Sequence, residues 1–189
     1  AKAGMSWDDF VAQRLFQPLG MRATSTRLAI AKAAPNVATP HQKRGAEIVT
    51  VEWRGFERVA GAGAMNSNVE DLARWLRFHL AGGRAAGKPL LGEAALRETY
   101  RPQNILSANY QAMFNPDALL NAYGFGWVIS QYRGKTLLEH GGAVDVFTAI
   151  IAMVPEAQIG LVMTSNLNIN AAIVSLRDLK FVILNELIH

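Results

Sequence analysis

Apolar side chains recur at helical spacing in the first part of the chain. A first helix is predicted after Ser6, whose hydroxyl suits an N-cap and is followed by acidic residues that favour a helix N-terminus. The capping box over residues 67–70 predicts a second helix that ends at Gly82, and residues 92–100 predict a shorter one. Between the first two helices, alternating apolar and polar residues over 47–53 predict a strand.

The periodicity changes to that of strands from residue 123 onward. Segments 123–129, 136–139, 147–154 and 159–164 predict successive strands, and residues 169–188 predict a closing helix with one apolar face. Strands joined by short turns pair in an antiparallel sheet. The pattern therefore predicts an α+β fold, in which an antiparallel sheet with a packed C-terminal helix accompanies a helical, loop-rich lobe.

Length and composition indicate a single domain. The chain has 189 residues, of which 50% are hydrophobic and 18% are charged, as is ordinary for a globular protein. We expect residues 1–120 to form the helical lobe and loops, and residues 121–189 to form the antiparallel strands and the C-terminal helix. Because no apolar run approaches the ~20 residues that a membrane-spanning helix needs, no transmembrane segment is expected.

The charge distribution and the potential metal ligands argue against nucleic-acid binding and metal-dependent functions. The formal net charge of +4 comes from basic residues that form no dense stripe with interleaved aromatics, so no nucleic-acid partner is expected. The absence of cysteine excludes disulfides and thiolate zinc sites. The histidines His41, His79 and His189 lack metal-ligand spacing with a carboxylate. Neither a metal nor another cofactor is expected.

The segment His140-Gly141-Gly142 is the main candidate for chemistry. It lies between two short apolar runs that predict buried strands, at positions where a strand would ordinarily carry side chains. Glycine in a strand marks a bulge or a place where another group approaches the backbone closely. Two interpretations follow. Either a strand edge lines a site with His140 on its rim, or the glycines form a tight turn and the histidine is satisfied by a neighbour.

The order of five motifs resembles a known family. The motifs are Pro18-Leu19-Gly20-Met21, a glycine–alanine loop over 60–65 before Ser67-Asn68-Val69-Glu70, Tyr123-Gly124-Phe125-Gly126-Trp127, His140-Gly141-Gly142 and Thr164-Ser165-Asn166. In this order the chain resembles the serine β-lactamase-like, penicillin-recognising hydrolases: class C β-lactamases, D-Ala-D-Ala carboxypeptidases and related esterases. The resemblance covers nearly the whole chain and implies the C-terminal portion of a β-lactamase/transpeptidase-like fold, a single partial domain over residues 1–189.

The resemblance assigns roles to the candidate segment. His140-Gly141-Gly142 is similar to the H-x-G motif on the strand that edges the family's site. By this likeness His140 would supply a hydrogen bond, and positive charge when protonated. The N–H of Ala143 would be one oxyanion-hole donor. Gly141 and Gly142 would let the substrate lie against the strand.

Two further residues are candidates for the substrate pocket that the resemblance implies. Tyr123 could line this pocket, and the alternative is a purely structural role. Asn166 closes a predicted strand at a position that faces the pocket in the family. The alternative for Asn166 is an asparagine that bonds the backbone at the end of its strand.

The chain departs from the family at the nucleophile. None of its seven serines is followed by lysine at the third position, as the family's S-x-x-K requires, and no Tyr-x-Asn occurs. Ser107-Ala108-Asn109 mimics Ser-x-Asn, but it follows the glycine–alanine loop and is interpreted as loop sequence. Since the family places both motifs earlier, we expect Ala1 to lie inside a longer protein.

These observations predict the C-terminal part of a β-lactamase-like serine hydrolase. By resemblance, the parent would acylate its serine with an ester, a D-alanyl peptide or a β-lactam and hydrolyse the acyl-enzyme. The separate chain is expected to be inactive. The alternative is a non-catalytic truncated paralogue or binding module that keeps the pocket wall.

The expected partners and compartment follow from the same resemblance. Besides its small-molecule or peptide substrate, the chain is expected to bind the N-terminal half of the same protein or a second copy, because exposed sheet edges seek cover. A periplasmic or secreted location is implied by the family.

Overall fold

The computed structural model describes residues 3–144, 146–168 and 170–188. Helices α1 to α8 are Trp7–Val11, Gln17–Leu19, Leu28–Lys32, Ala60–Gly63, Val69–Leu80, Glu93–Thr99, Ala108–Phe114 and Asn170–Leu187. A π-helical segment, Ala12–Phe16, joins α1 to α2, and 3₁₀ turns cover Glu57–Val59 and Pro155–Ala157. Strands β1 to β11 are His41–Arg44, Glu47–Thr50, Arg84–Ala85, Lys88–Pro89, Asn104–Ile105, Ala122–Tyr123, Val128–Tyr132, Lys135–Val144, Phe147–Val154, Ile159–Ser165 and Leu167–Asn168.

The main sheet has six strands in the order β10-β9-β8-β7-β6-β5, and every neighbouring pair is antiparallel. A second sheet has the order β11-β1-β2, and β3 pairs with β4. The predicted α+β fold with an antiparallel sheet is confirmed. No helix among the described residues is long and apolar enough to cross a membrane.

Helices α5 and α8 cover opposite faces of the main sheet. Side chains alternate between the two faces of a strand, so neighbouring residues of β8 belong to different cores. Leu137 packs with Leu184 of α8, whereas Leu138 packs with Leu76 of α5 and with Trp127. Each of these side chains is at most 4% exposed. Burying a large apolar side chain contributes about 1.5–3 kcal/mol, so the sheet and both helices stabilise one another.

Most predicted helices are confirmed, with small changes at their ends. Ser6 caps α1, because its Oγ accepts a hydrogen bond from the backbone N–H of Asp9 at 3.1 Å. Helix α6 lies within the predicted segment 92–100, and α8 occupies most of the predicted C-terminal helix. Ile169, the predicted first residue of that helix, lies outside the described residues. Strand β2 is shorter than predicted.

The cap of α5 differs from the predicted capping box by one residue. Asn68 is the N-cap, and its side chain accepts a hydrogen bond from the backbone N–H of Asp71 at 2.9 Å. Ser67 Oγ instead lies 2.7 Å from Thr24 Oγ1, which also donates to Asp71 Oδ2 at 2.9 Å. The hydroxyl predicted to cap the helix thus anchors a distant loop.

The predicted single strand over residues 123–129 is wrong. Strands β6 and β7 are separated by a turn in which the N–H of Gly124 donates to the carbonyl of Trp127 at 2.8 Å. Gly126 has φ +84°, a conformation that favours glycine. A Cβ on Gly124 would lie 2.4 Å from the carbonyl oxygen of Thr99. The two glycines are therefore required by a turn and a close approach, rather than by a strand.

Strand β8 continues through the glycines of the candidate segment. The prediction ended this strand at residue 139, but pairing with β9 extends from Leu138↔Met153 to Val144↔Phe147. The interpretation of Gly141 and Gly142 as a tight turn is wrong, because the hairpin reverses only after Val144. His140 and both glycines lie within a strand.

Candidate active site

Strand β8 has one free backbone edge beyond the end of β7. Pairing between these strands stops at Val128↔Glu139, whereas β8 continues to Val144. Over residues 140–144, the described part of the chain pairs β8 with β9 alone. The segment predicted to edge a site is therefore the exposed side of a strand whose other side is fixed in the sheet.

The register of the hairpin between β7 and β8 determines which backbone groups point toward the free edge. Arg133 and Gly134 both have positive φ, +51° and +74°, as in a two-residue type I′ turn. The pair that closes such a turn exchanges both backbone hydrogen bonds, and this pattern recurs at every second residue. Odd-numbered residues of β8 therefore direct their N–H and C=O toward β7. Beyond Glu139, these are Gly141 and Ala143.

His140 is held at the beginning of this edge. Its Nε2 lies 3.0 Å from the hydroxyl of Tyr123, and its ring contacts that of Phe114 at a centroid distance of 6.4 Å. Burial lowers the pKa of His140 below its ordinary value of 6.5. The neutral ring is thus favoured near neutral pH. The role of His140 as a hydrogen-bonding group, with positive charge when protonated, stays a prediction.

A buried ion pair anchors β8 one residue before His140. Lys180 Nζ of α8 contacts Glu139 Oε2 and donates a hydrogen bond to the carbonyl of Phe114 at 3.1 Å. Both charged side chains are at most 2% exposed. Burial raises the pKa of Glu139 and lowers that of Lys180, and their mutual attraction opposes both changes. The pair joins β8, α7 and α8 behind the candidate site.

This ion pair was not predicted from the sequence. The available signal was a lysine among the apolar residues of the C-terminal helix and a glutamate directly after an apolar strand segment. Charged residues in such surroundings are seldom fully buried unless they are paired. The sequence pattern did not indicate which charge each would meet.

The other predicted site residues lie in different surroundings. Asn166 Nδ2 donates to the carbonyl of Thr39 at 2.8 Å and lies 3.3 Å from His41 Nδ1, beside the three-stranded sheet. The described contacts bring Tyr123, but not Asn166, to His140. A substrate-binding role for Asn166 stays a prediction. Among the described residues, no group of three or more His, Asp or Glu side chains could hold a metal ion.

The Ser-x-Asn mimic belongs to a helix. Ser107 is the N-cap of α7, so the interpretation of residues 107–109 as loop sequence is wrong. The helix ends at Phe114, whose ring faces the position where Gly141 lacks a side chain. The contribution of this segment to the site is thus an aromatic side chain at the C-terminal end of α7.

Comparisons with known proteins identify the family and the fold of the chain. The family model described as Beta-lactamase matches residues 1–180. An unguisins hydrolase of Aspergillus violaceofuscus is 28% identical over 170 residues, which cover 80% of this chain and 29% of that protein. A second unguisins hydrolase, from Aspergillus campestris, is 24% identical over 161 residues, covering 84% of this chain and 28% of that protein.

A solved structure shares the fold. The octameric penicillin-binding protein homologue from Pyrococcus abyssi superposes with a TM-score of 0.70 at 20% identity, over 88% of this chain and 35% of that one. With respect to the two unguisins hydrolases, the chain spans less than a third of the length of these curated relatives.

Proposed function

Since the chain belongs to the Beta-lactamase family, we propose that residues 140–143 form one wall of the acyl-transfer site of a serine hydrolase. The observation that carries this proposal is the free edge of β8, where alternation directs the N–H groups of Gly141 and Ala143 away from the sheet. A substrate carbonyl placed against this edge would meet backbone donors that are already oriented. Because these donors belong to a paired strand, they need little reorganisation during the reaction.

In this proposal, Ala143 supplies one of the two oxyanion-hole donors. Attack on an ester or amide carbonyl places negative charge on its oxygen, and a preorganised N–H stabilises that charge. Loss of one such donor typically slows acyl transfer by about 10²–10³-fold. The second donor would be the N–H of the nucleophilic serine. Gly141 and Gly142 leave the edge open to the substrate.

His140 and Tyr123 form the polar end of the proposed wall. The neutral imidazole can donate from one ring nitrogen and accept at the other. One of these positions is taken by the Tyr123 hydroxyl at 3.0 Å. The backbone of Gly141 also hydrogen-bonds the imidazole. We propose that these two contacts orient the ring, and that one of them gives way when the ring bonds the substrate or a group near the serine.

The nucleophile is proposed to come from a segment outside these residues. No S-x-x-K occurs in the 189 residues, so we propose that this chain alone does not turn over a substrate. We also propose that residues 1–189 form one partial domain, with the helical lobe over 1–120 and the strands and closing helix over 121–189. The curated relatives are named as unguisins hydrolases, which supports a hydrolytic activity of the whole protein. We propose an ester, a D-alanyl peptide or a β-lactam as its substrate.

Intact-mass analysis tests the missing nucleophile directly. The chain is incubated separately with a fluorophosphonate and with a penicillin, and no covalent adduct is expected. A stoichiometric adduct would show that one of the seven serines is activated and would overturn this assignment. Ser107→Ala would then be the first variant to label.

A second measurement separates the enzyme from a binding module that lacks the nucleophilic serine. The coding sequence adjoining residue 1 is read for Ser-x-x-Lys. Its presence supports the hydrolase, and its absence favours the truncated paralogue.

We further propose that the chain associates through its sheet. Strand β10 is an end strand of the six-stranded sheet, and α8 exposes Leu179, Val182 and Leu187. Open strand edges and apolar helix faces favour pairing with another chain, here the N-terminal half of the same protein or a second copy. Sedimentation velocity on the 189-residue chain is expected to show association. A monodisperse monomer that is insensitive to salt would contradict this expectation.

A further inference from the structure

A cavity of about 200 Å³ opens beside the free edge of β8. Strands β8 and β9 form its floor, and the C-terminal end of α7 and Arg177 of α8 form its walls. Its lining residues are Met113, Phe114, Glu139, Gly141, Gly142, Ala143, Ala149, Ile150 and Arg177. Three of them, Gly141 to Ala143, belong to the segment that presents the proposed oxyanion donor. The cavity and the proposed site therefore share one rim.

Gly141 contributes no side chain to the lining of the cavity. A Cβ at this position would lie 3.6 Å from Phe114 Cε1 and 3.8 Å from Ile150 Cγ1, which are ordinary contact distances. The backbone of Gly141 has no positive φ that would itself require glycine. The absence of a side chain is therefore explained neither by a clash nor by backbone strain. Its effect is to widen the space between Phe114 and Ile150 by about one methyl group.

The lining is mainly apolar, and its two charged members, Glu139 and Arg177, each form an ion pair with a neighbouring side chain. Arg177 Nη1 donates to the carbonyl of Ala112 at 2.5 Å, and its Nε donates to Asp178 at 2.9 Å. Glu139 pairs with Lys180 through Oε2, whereas its Oε1 is buried without a hydrogen-bond partner among the described residues. The residue is only 1% exposed, so it contributes almost no surface to the cavity. The remaining surface comes from aliphatic and aromatic side chains and from the glycine backbone. Such a lining recognises an apolar group by contact area rather than by charge.

We propose that this cavity receives an apolar side group of the substrate, branched aliphatic or aromatic, carried next to the carbonyl that reacts at Ala143. The proposal rests on the proposed function and adds a substrate class to it. The size fits, because apolar protein cavities of about 150 Å³ bind benzene. The position fits as well, since the cavity opens at the rim formed by the exposed residues Gly142 and Ala143. Met113, which is 48% exposed, lies at the opposite wall of the mouth.

The test measures binding to the 189-residue chain, so it does not depend on catalytic turnover. The ¹⁵N-labelled chain is titrated with N-acetylphenylalaninamide and, in parallel, with N-acetylglycinamide, which lacks the side group. The aromatic amide is expected to bind about tenfold more tightly, as burial of part of an aromatic ring predicts. When the aromatic amide binds, the backbone amide resonances of Ala149 and Ile150 are expected to shift together with those of Gly141 and Ala143.

Substitutions at Gly141 identify the cavity as the source of the preference. Gly141→Val should fill the space and remove the preference for the aromatic amide. Gly141→Ala places one methyl group at ordinary contact distance, so it should fold normally and reduce the preference by about threefold. Gly92→Ala is the matched control, because a Cβ there meets nothing within 4 Å and Gly92 does not line the cavity. This control should retain the full preference.

Three results would overturn the proposal: equal affinity for the two amides, a preference that survives Gly141→Val, or shifts at Ile150 without any at Ala143. These failures are distinct from failure of the proposed function. A covalent adduct on this chain in the mass measurement would signal failure of the proposed function, independently of the relative affinities of the two amides.

Discussion

Lys180 on α8 forms a buried ion pair with Glu139, the residue that directly precedes His140 on β8. The two residues are 41 positions apart in the chain, and the ammonium also bonds the last residue of α7. The pair therefore fixes the back of the strand whose free edge carries the proposed site.

Replacing Lys180 with methionine should destabilise the fold strongly. The variant leaves the carboxylate of Glu139 buried without its counter-charge, which typically costs about 3–5 kcal/mol. Urea unfolding of the wild-type chain and Lys180→Met measures this difference in the free energy of unfolding.

An exposed pair provides the control for that experiment. Arg97 and Glu93 form an ion pair at 2.7 Å, with side chains 75% and 65% exposed, so Arg97→Met should cost less than about 1 kcal/mol. Equal losses for the two variants would show that the Lys180 pair is not desolvated as described.

The free energy of unfolding should decrease as the pH is lowered, because His79 is buried. Burial lowers the pKa of His79 from 6.5 to about 4 in the folded chain. The unfolded chain therefore takes up the proton first as the pH falls. The contribution of His79 is complete above about pH 6.5, decreases from there to about pH 4, and amounts to about 3 kcal/mol.

Urea unfolding between pH 7 and pH 4.5 measures this dependence. His79→Gln, which cannot take up a proton in this range, should flatten the curve relative to the wild type. If the variant keeps the full wild-type slope, protonation of His79 is not its source.

Hydrogen exchange should distinguish alternate amides on β8. The N–H groups of Gly141 and Ala143 point toward the free edge, whereas that of Gly142 points toward β9. The first two are therefore expected to exchange faster than the third by roughly 100-fold or more. The amide of Leu137, which has the same parity but faces β7, is the internal control and should be protected. Similar protection of Gly141 and Gly142 would contradict the register on which the proposed oxyanion donor depends.

His140 should be neutral at pH 7. Burial lowers its pKa below 6.5, so the imidazole resonances of a ¹³C-labelled chain should titrate with a midpoint below that value. Recording the same titration after His79→Gln assigns the remaining buried histidine signal. A midpoint above 6.5 would show that a nearby negative charge, and not burial, dominates at the candidate site.

Much of this molecule followed from local sequence patterns. Apolar periodicity predicted the helices and the antiparallel sheet, and the capping preference of Ser6 was sufficient to place α1. Capping and periodicity operate within a few residues, so they can be recognised without knowing the fold. The order of motifs was sufficient to indicate the family.

Tertiary contacts decided the rest. Only the fold showed that β8 extends beyond the end of β7, so that Gly141 and Ala143 present a free edge. Only the fold showed that Asn166 bonds Thr39. Likewise, no local pattern relates Glu139 to Lys180. The physical reason is that pairing of strands and burial of charge depend on groups distant in the chain. Sequence by itself determined most of the helices, the antiparallel class of the main sheet and the family that the chain resembles. Packing between the elements determined where several strands end and which backbone and charged groups meet.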